Sequence, residues 1–302
     1  MFIKRFASIL CAAALLSALL FGCKPAANEA DTAAVNAALD KLVACTNLTM
    51  IQSTIYEETV TDGTETYIYS GSNIIEITLI TSPTPKLHTA TTIQVSHDGE
   101  VVEQSTISYV LPEDGGYTEY YHDGESWYKI TSDDPDALSG ITAADMASMF
   151  LTSGLAYGKV GTETLNGGTA DRYEVELKGE KLVNLLEANG QLSNIYSMSE
   201  SLQTRIKENL AADLPPVTVS VWVDAASGYP VQFELSITEI LDDFQASIAK
   251  TLGEKDSDSQ WAVTRYEMFM AVSNFDSVED IILPAEAADA QPYVTEESIE
   301  TT

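Results

Sequence analysis

The sequence predicts an α+β protein built around a large antiparallel sheet. Polar and apolar residues alternate over most of residues 46–131, and Asp-Gly pairs interrupt this alternation. Hydrophobic residues recur at helical spacing before this stretch and again after it. With 302 residues, of which 45% are hydrophobic and 20% charged, the chain has the composition of a globular protein.

The N-terminus has the pattern of an export signal. Lys4 and Arg5 precede an apolar run that ends before Cys23, and the sequence beyond is small and polar. Residues 1–22 are therefore predicted to be a signal peptide and residues 23–32 a tether. A retained transmembrane helix is the poorer interpretation, because a spanning helix needs about 20 apolar residues.

The end of this segment resembles the lipobox of bacterial lipoproteins, in the residues Leu20, Phe21, Gly22 and Cys23. In such lipoproteins the cysteine thiol receives a diacylglycerol carrying fatty acyl chains such as palmitate, and cleavage makes the cysteine residue one. The resemblance implies that Cys23 is lipidated and holds the protein on the extracytoplasmic face of the cell membrane, because two acyl chains suffice for stable anchoring. An ordinary secretory signal with an unmodified cysteine is the alternative.

The formal net charge of −31 excludes two classes of partner. Nucleic-acid binding requires clustered Lys and Arg side chains, which this chain lacks. Anionic lipid headgroups repel so acidic a surface. We therefore expect any membrane attachment to be covalent or hydrophobic.

Residues 33–284 are predicted to form a single domain. It opens with a helix over 32–45, where Val35, Leu39 and Leu42 recur at helical spacing. Six strands of an antiparallel meander follow between residues 46 and 131, because Thr, Tyr, Ile and Val dominate the alternating runs and Asp-Gly is a strong hairpin signal.

The second half of the domain mixes helices with strands. Helical spacing predicts helices near residues 142–152, 179–188, 193–211 and 239–252. Alternation predicts strands near residues 173–177, 217–223, 231–237 and 259–273. Residues 285–302 are acidic and have no hydrophobic pattern, so they are predicted to be a disordered tail.

Three stretches, residues 121–129, 166–175 and 219–231, resemble the half-barrel lipoproteins, which include the lipoprotein carrier LolA and the mycobacterial lipid carriers of the LppX and LprG type. The resemblance implies a curved antiparallel sheet of about 11 strands, a half-barrel, with helices packed on its concave face. Members of this group hold lipid or acyl chains between the sheet and the helices.

The resemblance also implies which residues line such a cavity. They lie on the two helices near 142–152 and 239–252: Met146, Met149, Phe150, Leu241, Phe244 and Ile248. Apolar residues at helical spacing are, on ordinary packing grounds, core residues first. A plain core role therefore stays open beside the lining role.

No catalytic or metal site is predicted. His97 and His122 precede Asp-Gly turns that a regular meander would place about 9 to 10 Å apart, whereas both nitrogens must lie about 2.1 Å from a shared ion. Solvated turns are the better interpretation, and no cofactor is expected. The common hydrolase, zinc-protease and phosphate-loop motifs are absent, and Cys45 is expected to be a small buried residue.

The sequence thus predicts a lipid-anchored, non-enzymatic lipoprotein that binds or carries a lipid or other amphiphile in an apolar cavity. The alternative is a cell-surface protein-interaction or sensory module with the same fold and a filled core. An open apolar cavity favours the first function. A filled core with an exposed apolar patch favours the second.

Overall fold

A computed structural model describes residues 26–62, 65–97, 100–134, 138, 150, 154–165, 167–253 and 259–293. The predicted signal peptide and lipobox, including Leu20, Phe21, Gly22 and Cys23, lie outside these residues. Two of the predicted lining residues, Met146 and Met149, lie outside them as well.

The framework is a curved, unclosed sheet of 12 strands, which together with the helices forms an α+β half-barrel. The strands are β1 (Asn47–Asp62), β2 (Glu65–Ile80), β3 (Lys86–His97), β4 (Glu100–Glu113), β5 (Gly116–His122), β6 (Trp127–Ser132), β7 (Gly158–Leu165), β8 (Gly168–Leu177), β9 (Val217–Asp224), β10 (Pro230–Ser236), β11 (Ser259–Ser273) and β12 (Gln291–Pro292). Their order across the sheet is β12-β6-β5-β4-β3-β2-β1-β11-β10-β9-β8-β7. The predicted fold class is confirmed.

The six strands predicted from alternation form the meander β1–β6, and each pairs antiparallel with the next. β1 also pairs with β11, which joins the meander to the strands of the second half. The exception to the antiparallel pattern is the two-residue β12, which runs parallel to β6.

Four α-helices accompany the sheet in the described part of the chain. They are α1 (Glu29–Ala44), α2 (Glu180–Ala188), α3 (Glu200–Asp213) and α4 (Leu241–Leu252). The helix predicted over 193–211 is interrupted: a 3-10 segment, Ser193–Ser197, precedes α3. The Gln203 side-chain amide donates hydrogen bonds to the carbonyls of Tyr196 and Met198 at 3.2 and 2.9 Å, which satisfies backbone groups at the break.

Helix α1 begins three residues before its predicted start. Asn28 caps it, since its Oδ1 accepts a hydrogen bond from the Asp31 N–H at 2.9 Å. Asp31 Oδ2 also accepts from the Lys159 N–H on β7 at 2.8 Å. Residues 29–32, expected to belong to the tether, are therefore helical and attached to the sheet.

The main core lies between the helices and one face of the sheet, here called the inner face. Helix α1 contacts β7, β9 and β10, α4 contacts β11, and α3 lies between α2 and α4. The sheet contributes buried residues such as Met50, Val219 and Phe233. Burying each large apolar side chain contributes about 1.5–3 kcal/mol, so the strands that face this core contribute most of the free energy of unfolding.

The predicted disordered tail is wrong for residues 285–293. Ala285–Asp289 forms a 3-10 helix, and Ala287 and Ala290 are buried against Tyr120 on the other face of the sheet, here called the outer face. The prediction failed because alanines carry no hydrophobic pattern of their own, yet their small side chains fit closely on an aromatic surface formed elsewhere in the chain. Residues 294–302 lie outside the described residues.

Candidate functional site

The candidate site is the inner face of β1–β4 beyond the main core. Cross-strand partners share a face, so the strand register defines four rows that run outward from the core. From the core outward, the rows are Gln52, Ile75, Thr91 and Thr106; Thr54, Asn73, Ile93 and Gln104; Tyr56, Gly71, Val95 and Val102; and Glu58, Tyr69, His97 and Glu100. We call these residues the inner rows.

Burial is greatest in the row next to the core, and exposure is greatest on β4 in the rows farther out. Gln52, nearest the core, is buried, whereas Ile93 is 39% exposed and Val102 is 69% exposed. No residue of β3 or β4 is fully buried. The same face of one sheet thus changes from a packed core to a partly exposed surface.

The inner rows combine apolar side chains with hydrogen-bonding groups. Ile75, Ile93 and Val95 supply branched apolar surface, while neighbouring positions carry hydroxyl or amide groups. Asn73 Oδ1 is shielded from solvent and has no hydrogen-bond partner among the described residues. A shielded acceptor of this kind favours a ligand that carries a hydrogen-bond donor.

A close backbone approach shapes the third row. The ring of Tyr56 lies directly over Gly71, and a Cβ at residue 71 would clash with that ring. A side chain at residue 71 would therefore displace the end of the Tyr56 ring from its position over the neighbouring strand. The aromatic surface continues into the fourth row, where His97 stacks on Tyr69 with ring centroids 4.5 Å apart.

The inner face of the meander carries no Lys or Arg side chain. Lys86 and Lys129 are the only Lys or Arg residues between residues 46 and 158. Both occupy outer-face positions: Lys86 forms an ion pair with Asp280, and Lys129 lies opposite Tyr120. An anionic headgroup would therefore find no Lys or Arg partner on the inner face of β1–β6, whereas an uncharged amphiphile needs none.

The described lining candidates fall into two groups. Phe150 is fully buried, its ring centroid 5.7 Å from that of Phe233, and Leu241 is 3% exposed; both belong to the main core. Phe244 and Ile248 are partly buried and pack against that core. The latter two keep surface with which a ligand could make contact.

The structure separates the two histidines that the sequence placed at adjacent hairpin tips. β5 ends where His122 pairs with Ile107, whereas β3 ends where His97 pairs with Glu100. Seven residues along β4 correspond to about 24 Å, and the two side chains lie on opposite faces. The expectation of tips about 9 to 10 Å apart was wrong, because it assumed strands of equal length.

His122 and His88 belong instead to an aromatic cluster on the outer face. His88 packs on Tyr109 at 4.5 Å, and His122 packs on Trp127 at 4.9 Å between ring centroids. Burial lowers the pKa of His88, so it is uncharged at neutral pH. Burial, together with a hydrogen bond to Glu113, raises the pKa of Tyr120 to about 12. This cluster holds residues 285–293 on the sheet.

Sequence reasoning missed a polar cluster on the outer face of β7–β9. The Arg172 guanidinium lies 4.9 Å from the Trp222 ring centroid and donates to Glu174 Oε1 at 2.8 Å. Trp222 Nε1 donates to Glu163 Oε2 at 2.9 Å. These contacts connect three strands and neutralise the arginine, so the arrangement is structural. Its members come from β7, β8 and β9, which no local pattern relates.

Asp276 connects the end of α1 to the second half of the sheet. Its carboxylate accepts hydrogen bonds from the Thr46 N–H and hydroxyl, both at 2.8 Å, and from Tyr229 at 3.4 Å. These bonds lower the pKa of Asp276. Burial, reinforced by the negative charge of Asp276, raises the pKa of the neighbouring Cys45 thiol, which is therefore protonated at neutral pH.

In the described ranges, no group of three or more His, Cys, Asp or Glu side chains is arranged to hold a metal ion. In the same ranges, no helix combines the length and the apolar character needed to cross a membrane. A surface depression of about 340 Å³ occurs at the β4–β5 turn, lined by residues 112–117, outside the main core.

The strand order and the partly exposed inner rows define this chain as an α+β half-barrel protein. No protein-family model and no curated protein matches it. Solved structures do match: lipoprotein LppX of Mycobacterium tuberculosis, with 10% identity over 84% of this chain and 98% of that chain, has a TM-score of 0.32. LprF of Mycobacterium bovis, with 10% identity over 87% of this chain and 100% of that one, has a TM-score of 0.38.

A domain of the outer membrane lipoprotein-sorting type from Vibrio parahaemolyticus also matches, with 10% identity over 74% of this chain and 83% of that one and a TM-score of 0.19. Both groups named in the predicted resemblance are thus represented among the similar structures. Because these TM-scores are low, the half-barrel fold is established by the chain's own strand order. An inference about a ligand rests on the residues of the inner rows.

Proposed function

We propose that this protein is a lipid-anchored extracytoplasmic lipoprotein that binds or carries a lipid or other amphiphile on the inner rows of its half-barrel, without a chemical step. The supporting observation is the inner face itself, which passes from packed core to partly exposed apolar surface within single strands. Lipidation at Cys23, within the segment Leu20, Phe21, Gly22 and Cys23, attaches the protein to the membrane.

Apolar burial supplies the affinity in this proposal. An acyl chain that covers about 200 Å² of apolar surface on Ile75, Ile93 and Val95 gains about 5 kcal/mol, from which the cost of immobilising the chain is subtracted. Phe244 and Ile248, on helix α4 that packs against β11, are the described lining candidates that stay partly buried and can add apolar contact. Asn73 Oδ1 accepts a hydrogen bond from the polar end of the ligand.

Native mass spectrometry of residues 24–302, produced without the anchor and followed by organic extraction, tests the binding. We expect one lipid per protein, of uncharged class. Ile93→Asp, which places a carboxylate on the inner rows, should reduce the adduct about tenfold, since a charge buried under an acyl chain is strongly unfavourable. Thr92→Asp, one residue away on the outer face, is the matched control and should retain the adduct.

A separate experiment tests the anchor. Cys23→Ala should abolish labelling of the full chain by a fatty-acid probe in cells. Labelling that persists in this variant would contradict lipidation at Cys23 and leave the amphiphile proposal standing.

The second candidate is a protein-interaction or sensory module. Phe150, Leu241 and Phe233 fill the described core, and Ile68 and Val101 are 54% and 64% exposed on the outer face. A clean apo mass after incubation with membrane lipids would place this function ahead of lipid carriage.

A further inference from the structure

Strand β4 extends well past the strand that covers its outer side. β3 pairs with β4 from Glu100 to Val110, but β5 pairs with it from Ile107 onward. No strand in the described part of the chain pairs with the other side of residues 100–106. The β5–β6 turn comes close to Ser105, because a Cβ built on Gly124 would lie 3.5 Å from the Ser105 carbonyl oxygen. The residues Glu100–Gln104 therefore form an unpaired strand edge, here called the β4 edge.

The β4 edge lacks several of the usual protections against strand addition. Natural edges are typically short, bulged, or interrupted by proline. β4 has 14 residues, pairs with β3 without a register shift, and has its one proline at Pro112, in the part that β5 covers. Instead of polar residues, the middle of this edge carries Val101 and Val102, which are 64% and 69% exposed.

Charge determines which strand such an edge accepts. Glu100 and Glu103 flank the two valines, so each face of the edge presents one valine and one glutamate. Neither glutamate forms an ion pair with another described residue; Glu103 accepts a hydrogen bond from the Gln94 amide at 2.6 Å. An antiparallel second copy would pair through the same edge with its inner face on the same side, so Val101 or Val102 would lie opposite its own counterpart. The two copies of Glu100 or of Glu103 would then be diagonal neighbours about 7–8 Å apart, and each copy carries a formal net charge of −31, so self-pairing brings like charges together. A basic strand is favoured over self-pairing.

We propose that the β4 edge is a β-augmentation site for an extended, basic segment of a partner protein. Main-chain hydrogen bonds to Glu100–Gln104 supply the attachment, and side chains supply the selection. The complementary sequence is Lys-Val-Val-Lys or its arginine equivalent, which reads the same in a parallel or an antiparallel strand. This interaction goes beyond the proposed function and is independent of whether the inner rows hold an amphiphile.

Fluorescence anisotropy with the purified full-length protein in mild detergent tests the site. The probe is a fluorescein-labelled peptide, Ser-Thr-Lys-Val-Val-Lys-Thr-Ser, blocked at its C-terminus. We expect saturable binding that weakens about tenfold when Glu replaces both lysines. N-methylation of alternate residues keeps the charge but blocks strand pairing, and it should also weaken binding about tenfold.

Charge reversal on the protein provides the reciprocal test. Glu100→Lys with Glu103→Lys should reverse the preference, so that the Glu peptide binds better than the Lys peptide. Glu208→Lys with Glu279→Lys changes two exposed glutamates outside the edge by the same net charge and should leave the preference unchanged. Hydrogen exchange should show slower exchange at residues 100–104 when the Lys peptide is bound.

Three results would overturn the proposal. Equal binding of the N-methylated peptide would mean that ionic attraction alone holds the probe. An unchanged preference in the reversed variant would exclude the β4 edge as the site. A concentration-dependent dimer of the wild-type protein that the reversed variant abolishes would show that the edge pairs with a second copy.

Discussion

Phe150→Ala decides whether a predicted lining residue belongs to the core or to a ligand cavity. Phe150 has no exposed surface, and its ring packs against the buried Phe233 at 5.7 Å between centroids. Truncation of a fully buried phenylalanine costs about 3–5 kcal/mol, because transfer energy is lost and a cavity is left. The tilted aromatic pair accounts for about 0.5–1.5 kcal/mol of this. The loss would be a large part of the about 5–15 kcal/mol by which domains are usually stable.

Urea denaturation followed by circular dichroism measures this change, because a midpoint shift at unchanged slope reports stability alone. Phe244→Ala is the matched control, and at its partly buried position we expect a smaller loss of about 1–2 kcal/mol. A double-mutant cycle between Phe150 and Phe233 should give a coupling of about 1 kcal/mol. A loss below about 1 kcal/mol for Phe150→Ala, together with an altered lipid adduct, would refute the core assignment.

Three further predictions concern Asp276, Ala287 and Thr91. Asp276→Asn should lower the free energy of unfolding by about 1 kcal/mol at neutral pH, a value reduced by solvent screening. Because folding lowers the pKa of Asp276, the stability difference between wild type and variant should be full above about pH 4 and should vanish as the pH falls through the folded-state pKa. Urea titrations that gave the same stability difference at pH 3 and pH 7 would contradict this prediction. Ala287→Arg puts a cation among the outer-face aromatic rings and should speed proteolysis within residues 285–293, while the urea midpoint of the whole protein stays constant. An unchanged cleavage rate would contradict the packing of residues 285–293 on the outer face. Thr91→Lys gives the inner rows a cation and should raise the affinity for laurate about fivefold relative to uncharged monolaurin, since an exposed ion pair is worth about 1 kcal/mol. If native mass spectrometry gave the same ratio of laurate to monolaurin binding for wild type and variant, that result would argue against ligand binding on the inner rows.

Much of the strand content followed from local sequence. Alternation and Asp-Gly turns located β1–β6 because side chains of a strand point to opposite faces and a two-residue turn is encoded by its own residues. The break between residues 193 and 200 was missed, since it is stabilised by hydrogen bonds from the Gln203 side chain to the carbonyls of Tyr196 and Met198, which precede it by seven and five residues. The order at residues 285–293 was missed because the aromatic surface that buries Ala287 and Ala290 is formed by other strands.

The candidate site was less predictable than the fold. Helical spacing identified Phe150, Leu241, Phe244 and Ile248 as apolar but did not separate buried from partly buried members. The inner rows were not identified, although every strand that carries them was. A strand's pattern shows that it has two faces, and the neighbouring strands decide which face becomes the inner one.

The sequence by itself determined the class of fold, the acidic character and the lipobox-like segment, because each of these is a property of composition or of residues close together in the chain. Tertiary structure alone decided the pairing of β1 with β11, the unequal strand lengths that separate His97 from His122, and the unpaired edge of β4. These depend on contacts between distant residues, whose register is set by the packing of the whole sheet.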